Sequence, residues 1–209
     1  MGGLAVLALL GFYIFLAIKV FKAAKTTSTK AIALLLILLI PTADAIYGRI
    51  KLQQMCKAEG GLKVYRVAHN VEGFADDNAG SDYWVKEHGY QFIEELATNG
   101  LTVRWSRQND QTVVEEKTYP KSKYQVSLKR IGWINDPYLR EQDVVEEIAS
   151  NEILATDTQI AFNGGWAERL IALFSDAGGG TVAWCDNVAS DNWQRKVKLI
   201  LTTLKHSGE

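Results

Sequence analysis

Two cysteines, three histidines and four acidic dipeptides are the side chains in this sequence that could do chemistry. Cys56 and Cys185 are the whole thiol inventory. In an oxidising compartment such a pair forms a disulfide, which here would close a loop of about 130 residues. In a reducing one they would be two unrelated buried thiols. Neither C-x-x-C nor zinc-ligand spacing occurs, so a structural metal or a thioredoxin-like centre is not expected. His69, His88 and His206 have no partner at i+4 and no nucleophile nearby in sequence, and each reads as an ordinary surface or core histidine.

The acidic pairs are Asp76-Asp77, Glu94-Glu95, Glu115-Glu116 and Glu146-Glu147. A glycosidase needs two carboxylates flanking one bond, whereas neighbours on a strand point to opposite faces. These pairs therefore read as solvated faces. Asp76-Asp77-Asn78 lacks the closing glutamate of a calcium loop. No G-x-S-x-G elbow occurs, and Gly178-Gly179-Gly180 lacks the lysine of a phosphate loop. No catalytic residue, cofactor site or metal site is assigned. The tryptophans are more suggestive. Most read as core, but Trp166, after Gly164-Gly165, and Trp184 look like loop aromatics of the kind enriched at interfaces.

The elements that must position these residues fall into two parts. Gly2 to Ile18 is uncharged and apolar all round, and so is most of Ala31 to Tyr47. Bilayer dimensions then predict two transmembrane helices, about 2–20 and 31–47. Pro41 is tolerable in such a helix, and Asp44 falls near its exit, at an interface rather than as an intramembrane ion site. Lys19, Lys22, Lys25 and Lys30 lie around the connecting turn, against Arg49, Lys51 and Lys57 after the second span. The positive-inside rule places the turn in the cytoplasm and the remainder outside. A competing reading takes Ala43-Asp44-Ala45 as the A-x-A site of a signal peptide. It too puts the later part outside.

Residues 48–209 are expected to form one soluble α+β domain, mainly antiparallel β with a C-terminal helix. Gly48 to Glu59 continues the second helix to a stop at Gly60-Gly61. Leu62 to His69 reads as a strand, and 73–81 as a loop. Gln91 to Gln108 reads as a hairpin turning at Asn99-Gly100, with Leu96 opposite Val103 and Glu95 opposite Arg104. A helix over 84–97 capped at Asn99-Gly100 competes with it. Strands are expected over 112–117, 123–133, 142–148 and 153–162. A short helix follows over 167–174, and a final one over 192–204 is capped by Ser190 and Asp191. In that last helix Trp193, Val197, Ile200, Leu201 and Leu204 share an apolar stripe.

With a net charge of −1, nothing points to a nucleic-acid partner. The expectation is a two-pass protein of a bacterial inner membrane, its domain periplasmic. It would act as a non-enzymatic binding or interaction module, with the lipid bilayer and an envelope protein as partners. The alternative is an envelope hydrolase whose site is assembled from distant histidine and carboxylate residues.

Overall fold

The computed structural model describes residues 2–77, 82–96, 102–109, 111–117, 119–132, 136–172, 182–185 and 192–206. The chain starts with α1 (Gly2–Ala23) and α2 (Thr27–Glu59), then β1 (Gly61–Val64), β2 (Ala68–Val71), β3 (Gly73–Asp76) and α3 (Tyr83–Glu87). Next come β4 (Phe92–Leu96), β5 (Thr102–Gln108), β6 (Gln111–Lys117), β7 (Tyr124–Ile131), β8 (Tyr138–Glu147) and β9 (Glu152–Phe162). It closes with α4 (Trp166–Ala172), β10 (Ala183–Trp184), α5 (Asn192–Thr203) and β11 (Leu204–His206). Residues 1–58, 132–139 and 160–187 make one compact unit, and residues 59–131, 140–159 and 188–209 a second.

The first unit is built on α1 and α2. Thr26 and Thr29 cap the start of α2 reciprocally: each backbone N–H donates to the other's hydroxyl oxygen, at 3.1 and 3.2 Å. The Tyr13 hydroxyl donates to the Ile37 carbonyl, so α1 folds back along α2. As the sequence suggests, α2 runs past Gly48 and stops at Glu59, before Gly61 in the left-handed region at φ +87.

The expected membrane hairpin is not found. Among the described residues no single helix is long and apolar enough to cross a membrane. Only a broken pair, Thr27–Ile37 and Thr42–Glu59, passes by length and composition, and it is bent by 52°. Pro41, which has no N–H for the helical ladder, falls within the bend. The second half of α2 is also committed to protein packing. Leu52 is buried with Tyr138, Ile160 and Phe162, and Met55 and Cys56 pack against them. Gly48 lets this happen: a Cβ there would lie 2.1 Å from the Phe162 ring, and its carbonyl accepts the Tyr138 hydroxyl at 3.1 Å.

In the second unit the sheet is mixed, which corrects the expected antiparallel meander. The strand order is β1-β9-β8-β7-β3-β4-β5-β6, and a ninth strand, β10, pairs the Ala161–Phe162 end of β9, which belongs to the first unit. Strand β3, in the stretch expected to be a loop, is central, parallel to both β4 and β7, and buried at all four residues. Four residues beginning with Gly and ending with Asp carry no alternation to read. Gly73 is required because a Cβ would come within 2.1 Å of the Phe92 carbonyl. The strand expected over 62–69 breaks in two. Strand β1 pairs β9, while β2 joins β11 in a separate parallel pair.

Strands β4 and β5 are antiparallel, as the hairpin reading requires, but with Leu96 opposite Thr102 and Glu94, not Glu95, opposite Arg104. A shift of one residue exchanges the faces of a strand, and it carries Glu94 inward. The Asn99-Gly100 turn, Asn78, Trp133, the 178–180 glycines and the Ser190-Asp191 cap lie outside the described residues.

The core of this unit gathers Phe74, Trp84, Tyr90, Ile93, Val126, Leu154, Leu199 and Ile200. Phe74 meets Trp84 and Tyr90 edge-on, at 5.4 and 5.0 Å between ring centroids. The expected stripe of α5 faces this core at Val197, Ile200, Leu201 and Leu204, and Leu199 joins it. Leu199 and Ile200 are buried, whereas Trp193 remains 42% exposed.

Candidate functional site

Helix α5 brings polar residues against the sheet of the second unit. Arg195 donates to both oxygens of Asp157, at 3.0 and 2.7 Å, the bidentate pairing its planar fork favours. From the next residue of α5, the Lys196 ammonium reaches Asp76 at 2.5 Å. Asp76 and Asp157 are buried, at 1% and 4% exposure. Each carboxylate therefore meets a cation from α5, as a buried charge requires. At the same place a cleft of about 300 Å³ opens between β8, β7 and α5. Its walls include Asp77, Glu141, Asp143, Trp193 and Lys196. Burial is the main reason the Asp143 carboxyl is pushed up to about 6. Lys196 acts against that shift, and Asp157, Asp76 and Glu141 add to it. The cleft thus sets three carboxylates and an indole beside a lysine already engaged with Asp76, a setting that is net negative and aromatic-walled.

A second charged centre is structural. Glu94 is fully buried and accepts from Arg104 Nε at 2.8 Å, from the Lys121 and Ser122 backbone N–H groups at 2.9 and 2.8 Å, and from the Ser122 hydroxyl. Burial acts to raise its carboxyl. The donors, Ser122 foremost, outweigh burial and hold it below the ordinary glutamate range. Sequence reasoning missed both centres because it assigned the acidic pairs to solvent. Alternation was the available signal: in two of the four pairs one member, Asp76 or Glu94, is buried, while Asp77 and Glu95 are not.

Elsewhere the candidates separate. Cys56 and Cys185 are joined in a disulfide, 129 residues apart in sequence, tying α2 to the residue that follows β10 within the first unit. Trp166 is 38% exposed at the start of α4, and Trp184 is half-buried in β10. Asp44 contributes to packing: its carboxylate accepts the Trp166 backbone N–H at 2.6 Å, and Gly165 stays small because a Cβ would crowd Ala45. Arg49 pairs with Glu168 of α4 at 2.8 Å. Ala43-Asp44-Ala45 lies within helix α2.

The histidines are dispersed. His69 is exposed on β2, His88 meets the Tyr83 ring at 5.0 Å, and His206 meets the Tyr90 ring at 5.9 Å. No histidine lines the cleft among the described residues, and no group of three potential ligands there is placed to hold a metal ion. Compared with known proteins, the chain matches no family model, no curated protein sequence and no solved structure.

Proposed function

We propose that this chain is a bilayer-associated binding module whose sheet unit works on the oxidising, periplasmic side of a bacterial inner membrane. One observation carries the reading. In α1, Phe12, Ile14, Phe15, Leu16, Ile18 and Phe21 each keep 40–60% of their surface exposed, and so do Ile32, Leu34, Leu35 and Leu36 of α2. Consecutive exposed positions such as 14–16 mean that the apolar surface runs around the helix. A continuous apolar surface on this scale marks contact with lipid or with another protein. The bilayer is preferred because the lysines lie at one end of this surface and no acid interrupts it before Asp44. Contact of this kind needs neither helix to span, since an apolar helix surface can also lie within the interface.

The Cys56–Cys185 disulfide favours an oxidising compartment. For the binding role, the anionic cleft beside α5 offers a concave surface suited to a basic group of an envelope protein. The test is cell fractionation combined with a membrane-impermeant maleimide applied to intact cells before and after reduction. Recovery with the membranes, and labelling that appears only after reduction, is the expected result. Recovery in the soluble fraction, or no external labelling after reduction and mild denaturation, would overturn the proposal.

A further inference from the structure

The end of the first unit where α1 turns into α2 carries an unbalanced charge. Lys19, Lys22, Lys25 and Lys30 are all exposed there, and no Asp or Glu precedes Asp44. The turn between the helices is short. The Ala24 N–H donates to the Val20 carbonyl at 3.2 Å, the Lys30 N–H to the Thr26 carbonyl at 3.0 Å, and the Thr26–Thr29 cap closes it. The four ammonium groups are thereby held at one end of the helix pair. The Lys19 ammonium lies over the Phe15 ring at 4.9 Å, and the Lys30 ammonium near the Phe21 ring at 5.9 Å. Their stems run along apolar surface while the charged heads stay outside it, the arrangement of lysines at the edge of a hydrocarbon layer.

A row of cations bordering an apolar surface matches the chemistry of a lipid whose headgroup carries a net negative phosphate. A zwitterionic headgroup offers no such net attraction. We infer that the α1–α2 turn recognises anionic phospholipid headgroups, so that the chain binds acidic bilayers in preference to neutral ones. This rests on the reading that the two helices contact a bilayer, and it adds which lipid they select. A lysine near an anionic surface strengthens binding roughly fivefold, and four acting together should give well over tenfold. The attraction is screened once the Debye length contracts to a few ångströms.

The test uses the full chain, transferred from detergent to vesicles of phosphatidylcholine alone or mixed with phosphatidylglycerol, and recovered by flotation. At about 50 mM salt the acidic vesicles should bind at least tenfold more strongly, and the advantage should vanish near about 1 M. A variant with Lys19, Lys22, Lys25 and Lys30 all changed to Gln should bind both vesicles as the wild type binds the neutral ones. These side chains are exposed, so the variant keeps its fold. Equal binding of the wild type to both vesicles overturns the inference while leaving bilayer contact standing. So does a preference that survives in the Gln variant. Binding to neither vesicle removes the bilayer reading itself, and the inference with it.

Discussion

A buried and a half-buried carboxylate of the second unit, Glu94 and Asp143, are shifted in opposite directions, and each predicts its own pH signature. Glu94 sits below its ordinary value of 4.5 because Ser122, Lys121 and Arg104 all donate to it. Its contribution to stability is therefore complete above that value, and is lost as pH falls through the lower folded one. Glu94→Gln leaves donors without an acceptor and should cost about 2–4 kcal/mol at pH 7. In acid unfolding series, the variant and the parent should converge only as pH falls below the lowered value that Glu94 has in the folded protein. Asp143 runs the other way. It is raised from 3.8 to about 6, so the folded protein holds this proton to higher pH than the unfolded chain does. The carboxyl is without penalty below the unfolded value and costs progressively more as pH rises through about 6. Asp143→Asn should raise stability by about 1–2 kcal/mol at pH 8, after discounting for its partial exposure, and change little at pH 4. Denaturant melts of both proteins at those two pH values check it.

At the level of elements, Gly48 sets two physical rules against each other. A glycine inside an exposed helix is about 1 kcal/mol worse than alanine, so Gly48→Ala should stabilise α2 by intrinsic preference. In this helix a Cβ would meet the Phe162 ring at 2.1 Å, and Phe162 is itself buried and packed against Tyr138 at 5.3 Å. Packing should win, and Gly48→Ala should lower stability by about 1–3 kcal/mol. Gly11 of α1, whose Cβ would meet nothing within 4 Å, is the control, and Gly11→Ala should be neutral or stabilising. Thermal melts of both variants decide whether α2 is seated on β9 as described. Strand β3 follows the same logic, since its glycine is where the β4 backbone comes close.

For the whole molecule the disulfide is the largest single constraint. Closing a loop of this length removes up to about 4–5 kcal/mol of chain entropy from the unfolded state. Cys56→Ser and Cys185→Ser should each lose most of that, and the double variant should lose no more than either single one. A thermal shift on adding reductant to the wild type, absent from all three variants, is the readout. An unchanged melting temperature under reduction would show that the covalent tie adds nothing to packing of the first unit. Fold class is also a whole-molecule property. An apolar helix can serve lipid or protein, and residues distant in sequence at Tyr138, Ile160 and Phe162 settle that the second half of α2 serves protein.

What the sequence determined by itself was local. The course of α2 to its glycine stop, most strands after residue 100, the final helix and the pairing of two lone cysteines all follow from periodicity, breakers and count, which neighbouring residues specify. Tertiary structure decided the rest. The parallel placement of β3, the division of 62–69 between two sheets, the hairpin register that buries Glu94 and the meeting of Asp76, Asp143 and Asp157 with α5 all depend on partners far along the chain. A carboxylate reads as solvated when only its neighbours are seen. It becomes a buried charge only when Arg195, Lys196 or Arg104 is carried to it by another element, and no local pattern encodes that encounter.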